Sequence, residues 1–230
     1  MKDDAEKRIL FVFIISLLIV SALNSSIIIH SAIKSSSENI LTGEHSTVGR
    51  VGLRIMSPCE IYLLEGWNFI SICSNETNAN ISNIFNKTDY RYIMEWNPST
   101  QEFLIYSPRA ETNPFDEINL SRSYFIYSFG SQILSTTGDE FSSMKIPLLE
   151  GWNTPAYPYV FATDIEKYLE TPEMSGKYRY LMKWNESAQE FLIYSPRAET
   201  NPFEKIFKGQ GQFVNMYSAT NLFYNKTYLK

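Results

Sequence analysis

Histidine is almost missing from this chain of 230 residues: His30 and His45 are the two, and both precede residue 50. Everything after that point lacks an imidazole, which excludes Ser-His-Asp triads, Cys-His pairs and histidine metal sites. The two cysteines, Cys59 and Cys73, do not form a Cys-x-x-Cys pair. No P-loop, dinucleotide fingerprint or calcium loop occurs, and neither an Asp-Thr-Gly nor an Asp-Ser-Gly is present to build an aspartic-protease half. Nothing in the sequence therefore implies a cofactor or a metal. Lysine and arginine never cluster and the formal net charge is −5, which argues against nucleic acid as a partner. Aromatics, by contrast, are plentiful (15 Phe, 15 Tyr, 4 Trp), so the chain has the material for a packed core and is not a disordered segment.

The first thirty residues concern the compartment. Ile9–Val20 reads ILFVFIISLLIV, apolar apart from Ser16, and follows MKDDAEKR. Lys2, Lys7 and Arg8 upstream, against Lys34 alone before Arg50, favour a cytoplasmic N-terminus with the remainder outside. Two readings stay open. The short apolar run followed by Val20-Ser21-Ala22 suits a cleaved signal peptide, whereas continuation through Leu23 and Ile27 to Ile29 suits an uncleaved anchor. Asp3, Asp4 and Glu6 dilute the basic leader and tilt the balance toward the anchor. Residues 31–50 are rich in Ser and Thr and lack aromatics, as a polar stalk would. Asn-x-Ser/Thr triplets at Asn24, Asn75, Asn80, Asn86, Asn119, Asn185 and Asn225 fit an extracytoplasmic glycoprotein.

The organising feature is a duplication. LLEGWN occurs at Leu63–Asn68 and Leu148–Asn153, while QEFLIYSPRAETNPF occurs without change at Gln101–Phe115 and Gln189–Phe203. Between these anchors Tyr90-Arg91-Tyr92 answers Tyr178-Arg179-Tyr180, and Trp96-Asn97 answers Trp184-Asn185. The pattern divides the chain into a leader (1–30), a stalk (31–50), a first β module (51–129), a linker (130–143) and a second β module (144–230).

Within one unit, β-prone runs at Cys59–Leu64 and Phe69–Cys73 flank Glu65-Gly66-Trp67-Asn68 and read as a hairpin turning at Gly66. A short helix follows, with Ile81, Ile84 and Phe85 on one face in copy one and Ile165, Tyr168 and Leu169 in copy two. There Thr163-Asp164-Ile165-Glu166 has the form of a capping box. A second hairpin joins Arg91–Trp96 to Glu102–Tyr106, an irregular segment runs from Ser107 to Ser121, and Tyr124–Ser128 closes the unit. The expected fold class is mainly β (α+β): two tandem antiparallel-sheet modules, each with one short helix, after an N-terminal hydrophobic helix.

Cys59 and Cys73 are equidistant from Gly66, so a hairpin there would set them face to face within disulfide reach. In copy two Met144 and Pro158 stand at these positions, so the bond is a staple for one unit and not a demand of the fold. Thr154-Pro155-Ala156-Tyr157-Pro158 replaces the strand after the second Gly-Trp-Asn, and its prolines predict an edge or a broken strand.

The Glu-Gly-Trp-Asn turn followed by Phe69-Ile70-Ser71-Ile72, a Trp-Asn hairpin and an aromatic closing strand resembles the GWNLISLP-type repeats of secreted and surface-anchored archaeal and bacterial proteins. The resemblance covers most of residues 58–128 and 146–218 and implies an extracytoplasmic architectural module. It suits an envelope protein of archaeal type.

Candidate binding residues come from the repeats. Arg109 and Glu111, with their copies Arg197 and Glu199, sit in a proline-bounded polar loop, where the guanidinium could fork onto carboxylates or acidic glycans. Trp96 and Trp184, like Trp67 and Trp152, are either sugar-stacking platforms or turn and core packing; their place beside β-prone runs favours packing. Glu65/Glu150, Glu102/Glu190 and Glu111/Glu199 would serve a glycosidase only if two of them faced each other across a cleft. The sequence thus points to a non-enzymatic, membrane-tethered surface protein that binds another envelope component or a glycan. A carbohydrate-binding module comes second and a glycoside hydrolase third.

Overall fold

The computed structural model describes residues 59–229. The hydrophobic leader, the stalk and the triplet at Asn24 lie outside the described residues. Among the described residues no helix is long and apolar enough to cross a membrane.

The described chain is mainly β, with short helices and several small antiparallel sheets. In order it forms β1 (Cys59–Leu63), β2 (Gly66–Ser71), α1 (Ile81–Ile84), β3 (Tyr90–Asn97), β4 (Glu102–Tyr106), β5 (Ser123–Ser128) and β6 (Gln132–Thr136). There follow β7 (Ser143–Leu148), β8 (Gly151–Asn153), β9 (Thr163–Asp164), α2 (Ile165–Leu169), β10 (Tyr178–Asn185), β11 (Glu190–Tyr194), β12 (Lys205–Ile206), β13 (Phe213–Met216), β14 (Thr220–Asn225) and α3 (Lys226–Leu229). Gln132–Thr136, inside the segment expected to link the two copies, is therefore a strand.

Each sequence copy supplies one four-stranded sheet of the same order, β2-β5-β3-β4 and β8-β13-β10-β11. The second hairpin forms as expected in both, Asn97 facing Glu102 and Asn185 facing Glu190. Both sheets also shift register at the same place, between Tyr90 and Tyr92 and between Tyr178 and Tyr180. The extra residue there is the arginine of the Tyr-Arg-Tyr motif, and a bulge is the one device that absorbs such an insertion without flipping the rest of the strand.

The first hairpin differs from expectation. β1 pairs with β6, and β2 pairs with β5, so the two strands that flank Gly66 belong to different sheets. Their burial explains the separation. β1 alternates buried and exposed positions, whereas β2 is buried at every residue after Gly66. A strand covered on both sides needs neighbours that a solvated ribbon cannot provide. The bend is closed by a side chain: Asn68 Oδ1 accepts the Leu64 N–H at 2.8 Å, and Asn68 Nδ2 donates to the Leu64 and Gly66 carbonyls. Gly66 itself has φ +95°, a conformation that leaves glycine as the natural choice. The Cys59–Cys73 disulfide nevertheless forms, with Cα atoms 5.5 Å apart, across the diverging ends of the two strands.

The capping box is likewise not made. Asp164 is the N-cap of α2 but gives no side-chain cap bond. Thr163 instead uses its hydroxyl on the Tyr157 hydroxyl, and Asp164 pairs with Lys205 at 3.4 Å. The free N–H at the helix start is taken by the irregular segment, Ile165 N–H donating to Glu204 O and, in copy one, Ile81 N–H donating to Asp116 O, both at 2.9 Å. A backbone acceptor from a packed neighbour replaces the local cap. The proline-rich run of copy two behaves as expected: β8 stops at Asn153 and lies at the edge of its sheet.

Each sheet has its own apolar core on one face. Copy one fills it with Ile61, Ile72, Ile81, Ile93 and Ile126 around the disulfide. Copy two fills it with tyrosines, Tyr157, Tyr159, Tyr168, Tyr178 and Tyr224 among them. Buried hydroxyls require partners, and they find them: Tyr168 donates to Gln212 Oε1 at 2.7 Å and Gln212 Nε2 donates to Tyr224 at 2.9 Å. One half is stapled covalently, the other by a hydrogen-bonded network.

Candidate functional site

The other faces of the two sheets carry aromatics, and these meet. Phe213 of copy two packs 5.2 Å from Trp96 and 5.9 Å from Phe69 of copy one. Phe125 of copy one packs 5.5 Å from Trp184 and 5.8 Å from Phe191 of copy two. Around this aromatic layer the repeated motifs clasp each other reciprocally. Gln189 Oε1 accepts the Trp67 N–H and Gln189 Nε2 donates to the Trp67 carbonyl, both at 3.0 Å. Gln101 does the same to Trp152, at 2.9 and 3.0 Å. The indole N–H of Trp184 donates to Trp67 O and that of Trp96 to Trp152 O, each at 2.9 Å.

The repeated glutamine, glycine and tryptophan of the two motifs each have a task in this clasp. The glutamines sit at positive φ, 57° for Gln101 and 55° for Gln189, which aims their side chains across at the other copy. The glycine ahead of each tryptophan leaves room for the incoming amide: a Cβ on Gly151 would meet Gln101 Oε1 at 2.9 Å, and one on Gly66 would meet Gln189 Oε1 at 3.2 Å. Backbone pairing repeats the exchange. Ser71 N–H donates to Gly209 O and Gly211 N–H to Phe69 O, while Ser123 N–H donates to Thr154 O and Ala156 N–H to Ser121 O. Each copy thus bonds its backbone to the other, and the described residues fall in one compact unit.

Trp96 and Trp184, candidates for sugar stacking, are 5% and 4% exposed with their N–H groups bonded inside the protein. They present no free ring face to a ligand. Both rings, offered by the sequence either as stacking platforms or as packing residues, pack across the copies. The signal was available in the pairing of an invariant Gln with an invariant Gly-Trp-Asn, yet only contact between the copies gives it meaning.

The loops Ser107–Phe115 and Ser195–Phe203 are built alike. Asn113 Oδ1 accepts the Ser107 N–H at 2.8 Å and its Nδ2 donates to Ser107 O at 3.1 Å; Asn201 binds Ser195 at the same two distances. The side chain closes each loop at its neck, and the tip residues are exposed. Arg109, Glu111, Arg197 and Glu199 are all exposed on these tips. None of the four takes part in an ion pair among the described residues. Arg197 lies over the Tyr217 ring at 5.7 Å.

The repeated carboxylates Glu65, Glu150, Glu102 and Glu190 are also exposed, like Glu111 and Glu199. The buried acid is a different one, Glu95, 6% exposed and joined to Arg122. Burial raises the Glu186 carboxyl and lowers the Lys183 amine, whose Nζ lies 4.6 Å from the centre of the Phe203 ring. Of the glycosylation candidates, Asn75, Asn86 and Asn119 are exposed, and Asn80, Asn185 and Asn225 are half-buried.

Compared with known proteins, the chain matches no family model, no curated protein and no solved structure.

Proposed function

We propose that this chain is a non-enzymatic surface protein, tethered by its N-terminal hydrophobic segment, whose doubled β unit serves a structural or adhesive role outside the cell. The observation that carries the reading is the pair of identically braced loops presenting Arg109 and Glu111, and Arg197 and Glu199, to solvent without an ion pair among the described residues. Side chains held at the end of a stiff loop lose little entropy on binding. Two equal loops on one rigid body bind bivalently, so weak contacts add through effective concentration. Their partners would be acidic groups of another envelope component, protein or glycan. The Cys59–Cys73 bond supports an oxidising compartment, and the exposed Asn-x-Ser/Thr triplets fit the same exterior. The resemblance to secreted surface repeats points the same way.

The test has two arms. Mass spectrometry of the native protein reports its N-terminus, the state of both cysteines and any glycans; free thiols together with a cytosolic origin would end the reading. Binding of the purified full chain to an envelope fraction is then compared with that of the Arg109→Ala/Arg197→Ala variant. The double variant is expected to bind at least tenfold more weakly, and equal binding would remove the loops from the function.

A further inference from the structure

The Asn-x-Ser/Thr triplets differ in how each asparagine is held. At Asn119 the Ser121 hydroxyl donates to Oδ1 at 2.7 Å, and the Ser121 N–H donates to the same oxygen at 3.0 Å. Both bonds fall on the oxygen, which leaves Nδ2 of this exposed residue without a hydrogen bond. Among the described triplets it is the one whose hydroxyl reaches the asparagine side chain. Asn185 and Asn225 are half-buried, and their Oδ1 atoms accept backbone N–H groups, from Ala188 at 3.3 Å and from Thr227 at 3.0 Å. The backbone under Asn119 is fixed: its N–H donates to the Tyr124 hydroxyl at 2.7 Å, and Tyr124 is 1% exposed.

Asn119 also stands at a cleft of about 100 Å³ where the two copies meet. Pro98, Leu148 and Pro155 give the cleft apolar walls, and Arg122 and Thr154 give it polar ones. Arg122 is joined to Glu95 through one guanidinium nitrogen, and its side chain keeps 32% exposure. Thr154 is 4% exposed and its hydroxyl has no hydrogen-bond partner, a costly condition for a buried polar group. The volume is that of several water molecules, enough for the hydroxyl edge of one sugar ring. Apolar walls with a few polar groups suit such a ring, which has C–H faces and a rim of hydroxyls.

The second copy fills the matching place with protein. Asn119 corresponds to Phe207, and both open the same turn: Arg122 N–H donates to Asn119 O at 2.9 Å and Gln210 N–H to Phe207 O at 3.1 Å. Glu95 corresponds to Lys183, and the Phe207 ring lies 5.6 Å from Lys183 Nζ. Copy two thus lays a ring beside its charged strand residue, where copy one has an amide and an open cleft.

We infer that Asn119 carries an N-linked glycan whose first sugar seats in this cleft, against Pro98 of the first copy and Thr154 of the second. The inference rests on the exterior location proposed above and adds a covalent group to it. The donor is an oligosaccharide held on a lipid phosphate. Nδ2 bonds to the anomeric carbon as the bond from that carbon to the phosphate oxygen breaks, and the proton lost from Nδ2 leaves with the lipid phosphate. The seated sugar then bridges the two copies beside the clasp.

The experiment has two readouts on the full chain. Tryptic digestion of the native protein releases Ala110–Arg122, which contains Asn119 and no other Asn-x-Ser/Thr triplet, and mass spectrometry of this peptide is expected to show a glycan on Asn119. Denaturant unfolding then compares the glycosylated protein with the same chain made in a host that lacks N-glycosylation. The glycan is expected to lower the unfolding equilibrium constant about fivefold, the effect of one net hydrogen bond. Asn119→Gln should erase that difference between hosts, and Asn86→Gln, in another exposed triplet, should keep it. Any cost of the substitution itself is present in both hosts and cancels. A bare Asn119 in the native protein, or a difference between hosts that survives Asn119→Gln, overturns the inference. A bare Asn119 beside bridged cysteines leaves the proposed function standing, whereas free thiols in a protein of cytosolic origin end both.

Discussion

Replacing Gln189 by alanine tests the clasp directly. The side chain makes three hydrogen bonds, one from the Trp67 N–H, one to Trp67 O, both at 3.0 Å, and one to Glu186 O at 2.6 Å. Trp67 O keeps the indole N–H of Trp184 as a second donor. The Trp67 N–H has no such reserve, and the residue is 3% exposed. An abandoned buried donor costs about 1–3 kcal/mol, and each of the other bonds contributes about 0.5–1 kcal/mol net. The expected loss is therefore roughly 2–5 kcal/mol. Glycine at the same position removes the same bonds but relieves the left-handed backbone, φ 55°, recovering about 1 kcal/mol. Gln189→Gly is expected to be destabilised less than Gln189→Ala by that amount. Chemical denaturation of the full chain followed by tryptophan fluorescence reads both, because the four tryptophans surround the clasp. The unfolding should remain one transition that shifts as a whole. A loss below about 0.5 kcal/mol, or a split in which one copy unfolds before the other, would refute the idea that the copies complete each other.

Trp184→Phe keeps the ring in the aromatic layer but removes the donor to Trp67 O, which Gln189 still serves; the expected cost is about 1 kcal/mol in the same assay, and a loss as large as that of Gln189→Ala would show that ring packing dominates. Cys59→Ser/Cys73→Ser opens the closed loop and is expected to cost about 3 kcal/mol, measured as a lower denaturant midpoint that reductant does not lower further. Burial pushes Tyr157 and Tyr159 up to about 12 from 10.0. The unfolded chain then releases those protons first, so stability is full below pH 10 and falls as pH rises from 10 toward 12; denaturant midpoints that stay level across that window would contradict the buried tyrosine network. Asn201→Ala frees the neck of the second loop, and limited proteolysis should then cut within Ser195–Phe203 several-fold faster while global stability changes little.

Much of this fold could be read from sequence because its signals are local. The second hairpin, the short helices, the edge character of the proline-rich strand and the closing aromatic strand all follow from side-chain period and turn residues. The first hairpin misled because Glu-Gly-Trp-Asn has the composition of a tight turn, while Asn68 uses its side chain to end one strand and send the next into another sheet. The capping box misled for a related reason: Thr163 had the right spacing, but a buried tyrosine hydroxyl needed it more.

Sequence alone determined that the chain repeats itself, that it contains no imidazole chemistry after residue 50, and that Cys59 and Cys73 could meet. These depend on residue identity and short separations, which the chain carries with it before folding. That Gln101 belongs to Trp152 and Gln189 to Trp67, and that β4 and β11 end up last in the order of their sheets, was decided by tertiary structure. Such pairings join residues far apart in the chain, and the free energy that selects them, burial of an aromatic layer between two sheets, exists only once both sheets are formed.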